Sequence, residues 1–296
     1  MKIVLTGGAG NITKPLTKLL LDQGHDVTVI GRNDDNLKSL KEEGAKTAVG
    51  NIEDEAFLEK AFEGADVVYT MTPAPLHAGD WVAYGKEQGK RYATALAANK
   101  IQKVVNLSTF GAHLLRGIGP ANLLGQVELA LNTLAYAEII HLRAGYFYTN
   151  LINQIPGIKN YGIIGGNYGS AQNLMLLVHT SDIADAAAEA ITTPNFNDAQ
   201  PYYIVGDIRS YKDVATVLGG EIARELTWTE FDDDTMRSIY TQSGLPKSLV
   251  DIFVEIGQDM ANGSLNEHYL SLENKPSLQQ VKLEDYAAEF KGAYNS

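Results

Sequence analysis

Thr6, Gly7, Gly10 and Thr13 in the stretch TGGAGNIT are the first residues whose types and spacing point to chemistry. The apolar run KIVL leads into the stretch and a helical pattern leaves it, so the glycines fall in a strand-to-helix turn. In that context Gly7 permits a tight turn, and Gly10 lets the backbone approach a pyrophosphate whose charge meets free N–H groups and the helix dipole. The third position of G-x-x-G-x-x-G is Thr13 rather than glycine. Its side chain either displaces the helix modestly or supplies a hydroxyl to a phosphate oxygen. The end of the next apolar run reads VTVIGRNDD, where an acidic residue would bind a ribose 2′-hydroxyl. Arg32 stands there instead, with the fork and flat face that suit a 2′-phosphate and an adenine, while Asp34 and Asp35 come late. These residues favour NADP(H) over NAD(H).

A reductase that must protonate an alkoxide uses a tyrosine with a lysine one helical turn on. None of the fifteen tyrosines has a lysine four residues later, and the helical stretch ANLLGQVELALN contains neither residue. The catalytic residues are therefore unknown from the sequence, with His113 and Tyr146 as candidates. His113 lies two residues past a Phe-Gly that follows a strand, and its bland alternative is a surface or capping role. His77 has the same standing. His179 precedes Ser181 and Asp182, one of which is expected to cap a helix. Asp232 to Asp234 read as a helix start stabilised by the dipole. No histidine or carboxylate spacing suggests a metal, and with no cysteine there is no thiolate chemistry.

These groups require a scaffold, and 296 residues at 45% hydrophobic suffice for one large α/β domain with an appendage. The runs KIVLT, DVTVI, KTAV, DVVYT, KVVNLS and EIIHL alternate with helical stretches such as Asn11 to Gly24, Asn33 to Gly44, Asp54 to Gly64 and Ala121 to Tyr136. Strands this apolar, joined by crossovers of helix length, give a Rossmann-type doubly wound parallel sheet. Glycines 24, 44 and 64 sit where helices end. The expected division is a dinucleotide-binding domain over residues 1–150, to which a strand and helix at about 174–192 return, and a smaller α-rich C-terminal substrate domain over 151–296. KNYGIIGGNYGSAQN, 159 to 173, reads as a loop and candidate lid. Helices are expected at 232–243, 246–262 and 276–292.

A formal charge of −12 argues against nucleic acid and anionic membrane as partners. No run approaches the length of a spanning helix, and MKIVLTGG carries no leader pattern. The expectation is a soluble cytoplasmic protein.

Along nearly the whole chain the motifs resemble the NmrA-like, atypical short-chain dehydrogenase/reductase proteins. TGGAGNITKPL is similar to the family's opening, VGNIEDEAFLEKAFEGADVVYTMTP to its third and fourth strands, VVNLSTFGAH to its fifth strand end, and QVELALNTLAYAEIIHLRAGYFYTN to its helix and "LRPGxFxxN" segment. The resemblance implies an NAD(P)H-binding fold whose members include quinone and other carbonyl or double-bond reductases and also dinucleotide sensors. It implies cofactor contacts from Thr6, Gly7, Gly10, Asn11 and Ile12, from Arg32, from Met71 and Thr72, from Ser108 and Thr109, and from Gly145, Tyr146 and Phe147 near the nicotinamide. Asn51 replaces the family's usual aspartate. The reading is an NAD(P)H-dependent reductase of quinones or similar small conjugated acceptors, which need no protein acid because the reduced anion is stabilised and water protonates it. Tyr146, Phe147 and Tyr148, with Tyr161 and Tyr168, would line the acceptor pocket or else be core. The competing reading is a non-catalytic NADP(H) sensor acting through a protein partner, and a sugar-nucleotide epimerase or dehydratase is disfavoured by the missing tyrosine-lysine pair. A homodimer is compatible with either.

Overall fold

The computed structural model describes residues 1–194 and 201–296. In chain order the first elements are β1 (Lys2–Leu5), α1 (Thr13–Asp22), β2 (Asp26–Gly31), α2 (Asp34–Glu42), β3 (Lys46–Val49), α3 (Glu55–Ala61), β4 (Val67–Thr70), α4 (Trp81–Ala98), β5 (Lys103–Thr109), α5 (Pro120–Leu131), β6 (Glu138–Ala144) and β7 (Tyr146–Phe147). They are followed by α6 (Ile155–Tyr161), β8 (Ile164–Gly166), β9 (Leu174–Val178), α7 (Thr180–Thr192), β10 (Tyr202–Ile204), β11 (Asp207–Ser210), α8 (Tyr211–Glu221), β12 (Trp228–Glu230), α9 (Asp233–Gln242), α10 (Lys247–Ala261), α11 (Glu267–Ser271) and α12 (Leu283–Asn295).

Seven strands form one sheet in the order β10-β6-β5-β4-β1-β2-β3. Pairings of β1 with β2 and β4, of β2 with β3 and of β4 with β5 are parallel, and the inner strands β1, β4 and β5 are largely buried apolar runs, as such a sheet requires. The order reverses between β1 and β4, and sheets of this kind bind ligands outside the strand carboxyl ends at such a switch point. Capping starts the helices cleanly: Asn33, Asp54 and Asp80 each accept a backbone N–H in the first turn of α2, α3 and α4.

The chain divides into two compact units. The first comprises Met1–Arg116, Pro120–Arg143 and Ile183–Tyr202, and the second Gly117–Gly119, Ala144–Asp182 and Tyr203–Ser296. Val4, Phe62, Val68, Tyr92 and Val104 anchor a core of the first. Tyr148, Tyr211, Trp228, Tyr286 and Phe290 anchor that of the second.

Four sequence expectations change. Leu174–Val178 does not join the large sheet; β9 pairs in parallel with β7 and antiparallel with β11 in a separate three-stranded sheet. The stretch read as a lid holds β8, which pairs with β12, and Tyr168 stacks on Trp228 with centroids 6.0 Å apart. Its glycines suggested a loop because their aromatic neighbours are satisfied only by partners far along the chain. The helix expected to reach Tyr136 ends at Leu131, and the one expected from residue 276 begins at Leu283.

Candidate functional site

The ends of β1, β2 and β4 place the first predicted residues together. Thr6 is fully buried; its backbone N–H donates to Tyr69, and its hydroxyl accepts the Met71 N–H at 2.8 Å. Gly7 turns the chain with φ +107°, and a methyl group there would lie 2.4 Å from Thr13 Oγ1 and 3.0 Å from Met71 Cγ, so only glycine fits. Gly8 donates to the Ile30 carbonyl at 2.9 Å, setting the turn directly on the end of β2, beyond which Arg32 is exposed.

Thr13 is buried, and its hydroxyl donates to the Thr6 carbonyl at 3.1 Å. The hydroxyl therefore faces the first strand, which corrects the alternative that it serves a phosphate. Thr13 ties helix to strand by a hydrogen bond where a glycine would do so by close packing. Among α1 to α4, only α1 lacks a side-chain cap, its N-cap being Ile12, and no acidic residue occupies its first turn. The Lys14 N–H donates to the Gly10 carbonyl at 3.0 Å and Pro15 has no N–H, so this helix end is closed by backbone rather than by a side chain. Thr72 is buried at this edge beside Tyr92, whose hydroxyl donates to the Met71 carbonyl at 2.7 Å. The glycine turn, with a helix start that no side chain caps and no acidic residue in its first turn, fits a nucleotide diphosphate.

Around the adenosine end predicted by Arg32, the Tyr84 hydroxyl donates to Glu53 at 3.1 Å and His77 lies 3.5 Å from the same carboxylate. Burial, then the Glu53 charge, pushes the Tyr84 hydroxyl up to about 12, opposed by the charges of Arg91 and Arg32. Asn51 accepts the Glu53 N–H at 3.2 Å, a local turn bond that occupies its side chain.

Next to this edge lies a polar network that the sequence reading missed. Ser108 Oγ donates to Glu128 Oε1 at 2.5 Å, so Ser108, predicted as a cofactor contact, has its hydroxyl committed to a helix. Glu128 also receives Arg143 Nε at 2.9 Å and Nη2 at 2.5 Å, a two-pronged ion pair in which both residues are 5% exposed. Burial would raise the Glu128 carboxyl, but the hydrogen bond and charge of Arg143 and the Ser108 hydroxyl hold it below its ordinary value. Below the pair, Thr70 donates to Asn106 at 2.9 Å, which commits the Asn106 amide to His141 Nδ1 at 3.2 Å and leaves His141 Nε2 to donate to Asn132 at 3.0 Å. Burial lowers His141, in keeping with a neutral ring. The available signal was the pair of polar residues, His141 and Arg143, at alternate positions of the apolar strand EIIHLRA, since a buried arginine requires a partner. Thr109 is half-buried at the end of β5.

His113 belongs to a short 3-10 turn, Ala112–Leu114, just after β5. It is exposed, and Arg143 Nη1 lies 3.3 Å from its Nδ1. This supplies the partner the sequence did not show.

In the second unit Gly145 cannot carry a side chain, because a methyl group would fall 2.5 Å from the Leu176 carbonyl. Tyr146 and Phe147 follow it, half-buried. Burial, with Tyr240 and Tyr286 adding to it, pushes the Tyr146 hydroxyl up, the opposite of what an activated acid needs. Tyr148 and Tyr168 are core: Tyr148 is fully buried and stacks on Tyr286 at 5.1 Å, and Tyr168 packs on Trp228 and Tyr211. Tyr161 is 77% exposed. His179 is itself the cap expected of its neighbours, its Nδ1 lying 3.2 Å from the Ser181 N–H. Asp232 caps α9 by accepting the Thr235 N–H at 2.7 Å. Among the described residues no group of His, Asp or Glu could hold a metal, and no helix is long and apolar enough to cross a membrane.

The strand order and the glycine turn into the first helix define a Rossmann-type fold. Residues 1–289 match the model of the NmrA-like family, and the chain belongs to it. A reductase of (4-alkanoyl-5-oxo-2,5-dihydrofuran-3-yl)methyl phosphate from Streptomyces griseus is 21% identical over 293 residues, 99% of each chain. An NADPH-dependent quinone oxidoreductase of Escherichia coli, solved with NADPH, superposes with a TM-score of 0.81 at 19% identity, covering 97% of this chain and 99% of the other. A nucleoside-diphosphate-sugar epimerase of Staphylococcus aureus superposes with a TM-score of 0.80 at 16% identity, covering 97% and 100%.

Proposed function

We propose that the protein is an NAD(P)H-dependent reductase of quinones or similar small conjugated acceptors. The observation that carries the reading is the β1–α1 turn, where a glycine cradle leads into a helix that no side chain caps. Thr6, Gly7, Gly10, Asn11 and Ile12 would hold the diphosphate, Met71, Thr72, Thr109 and the Ser108 backbone the adjoining part, and Gly145, Tyr146 and Phe147 the nicotinamide end. Arg32, exposed beyond β2, would pair with a 2′-phosphate, which favours NADP(H). When bound, the cofactor supplies a hydride.

The chain contributes position rather than acid. α5 offers no tyrosine or lysine, and its one carboxylate is consumed by Ser108 and Arg143. An acceptor whose reduced form is a stabilised anion suits such a site, because water can protonate it and proximity supplies the rate. The whole-length likeness to a reductase whose named substrate is an unsaturated carbonyl ring supports this class. The same lack of a tyrosine–lysine pair favours a second reading, an NADP(H) sensor that binds without turnover. The epimerase reading lacks the tyrosine its chemistry leans on. Calorimetry with NADPH and NADH, followed by nicotinamide absorbance after quinone addition, tests the proposal: tight NADPH binding with oxidation supports the reductase, binding without oxidation supports the sensor, and no binding removes both.

A further inference from the structure

The turn after β5 is held more firmly than its exposure suggests. Gly111 at φ 76° and Leu115 at φ 49° bracket it, and a leucine in the left-handed region carries strain that its surroundings must offset. α5 packs against its backbone so closely that a methyl group on Gly125 would lie 2.2 Å from the Ala112 carbonyl. From β6, Arg143 reaches His113 while both of its other contacts to Glu128 stay in place.

An arginine can only donate, so His113 Nδ1 accepts from it and the ring is neutral with its proton on Nε2. We propose that this Nε2–H donates a hydrogen bond to the carbonyl oxygen of the bound acceptor, with Arg143 and Glu128 as positioning residues. The proposal rests on the reductase reading. The turn follows within four residues of Thr109, at the carboxyl edge where sheets of this order place ligands. A neutral imidazole is suited to polarising a carbonyl without losing a proton. Over one turnover the acceptor gains a hydride and a proton and is reduced by two electrons; the dinucleotide is oxidised, the proton comes from water, and His113 is unchanged. A fixed donor aimed at the oxygen that gains negative charge acts on kcat more than on KM.

The test uses the full chain with NADPH and one quinone that the wild type reduces. His113→Ala, at an exposed position, is expected to lower kcat about a hundredfold with NADPH affinity unchanged by calorimetry. His113→Gln, whose amide N–H can stand in for Nε2–H, is expected to recover most of the loss. Independently of turnover, a long-range proton–nitrogen correlation spectrum should show His113 as a single tautomer with bare Nδ1, and Glu128→Gln should loosen Arg143 and give a tautomer mixture together with a lower kcat. Wild-type kcat in His113→Ala, or a protonated Nδ1 in the wild type, overturns the proposal and leaves the reductase reading intact. Failure of the wild type to oxidise NADPH with any acceptor removes the reductase reading, and this proposal with it.

Discussion

The first and fifth crossovers of one sheet, β1 to α1 and β5 to α5, treat polar groups in opposite ways. At the first, Thr13 closes the strand–helix contact with one neutral hydrogen bond, and the helix end above it has no side-chain cap. At the fifth, Ser108, Glu128 and Arg143 close the contact with a buried ion pair, and the turn beyond it is strained and braced. One crossover leaves its helix end without a capping side chain. The other uses its charges to hold a side chain. Under the proposed function, binding and positioning are separated along a single sheet edge.

The largest break in this comparison is expected at the ion pair. Arg143→Met leaves Glu128 buried and uncompensated, at a cost of roughly 3–5 kcal/mol, while Glu128→Leu with Arg143→Met should restore most of the stability; urea unfolding measures both. Equal losses in the single and double variants would mean that the charges are not coupled. Because Glu128 is held below its ordinary value in the folded protein, its contribution is complete above that ordinary value and drains away as the pH falls through the lower, folded one. The variant lacking both charges should lose less stability on acidification than the wild type.

At the first crossover Gly7→Ala is the sharper cut. A side chain at φ +107° and 2.4 Å from Thr13 Oγ1 should cost more than about 1 kcal/mol and weaken NADPH binding at least tenfold. Arg32→Ala should weaken NADPH by about tenfold or more, the scale of one charge-assisted contact, and leave NADH nearly unchanged. Equal losses for the two cofactors would sink the 2′-phosphate assignment. The smallest effect belongs to Thr13→Val: about 1 kcal/mol of stability for the lost hydrogen bond to Thr6, with NADPH affinity preserved. A large drop in affinity would return the Thr13 hydroxyl to the phosphate.

The sheet and the glycine turn were legible because strand periodicity, crossover length and turn chemistry are local. Gly7 declares its backbone in its identity, and the helix-ending Gly24, Gly44 and Gly64 all adopt positive φ. The second unit was read less well for the converse reason. Tyr168 resembles loop until Trp228, sixty residues on, supplies its stacking partner, and Leu174–Val178 reads as another parallel strand until β11 pairs with it antiparallel. Glu128 and Arg143 were overlooked because each sits singly in an apolar element, and a lone charge identifies its partner only through the fold. His113 was visible as a residue but not as a site, since its arginine lies thirty positions away.

Titrating the purified chain with NADPH and then adding a quinone, while following the absorbance of the reduced nicotinamide, tests the central claim most directly. The account predicts saturable NADPH binding and loss of that absorbance in proportion to quinone reduced. Saturable binding with no oxidation by any quinone would contradict it and establish the protein as a binder of the dinucleotide alone.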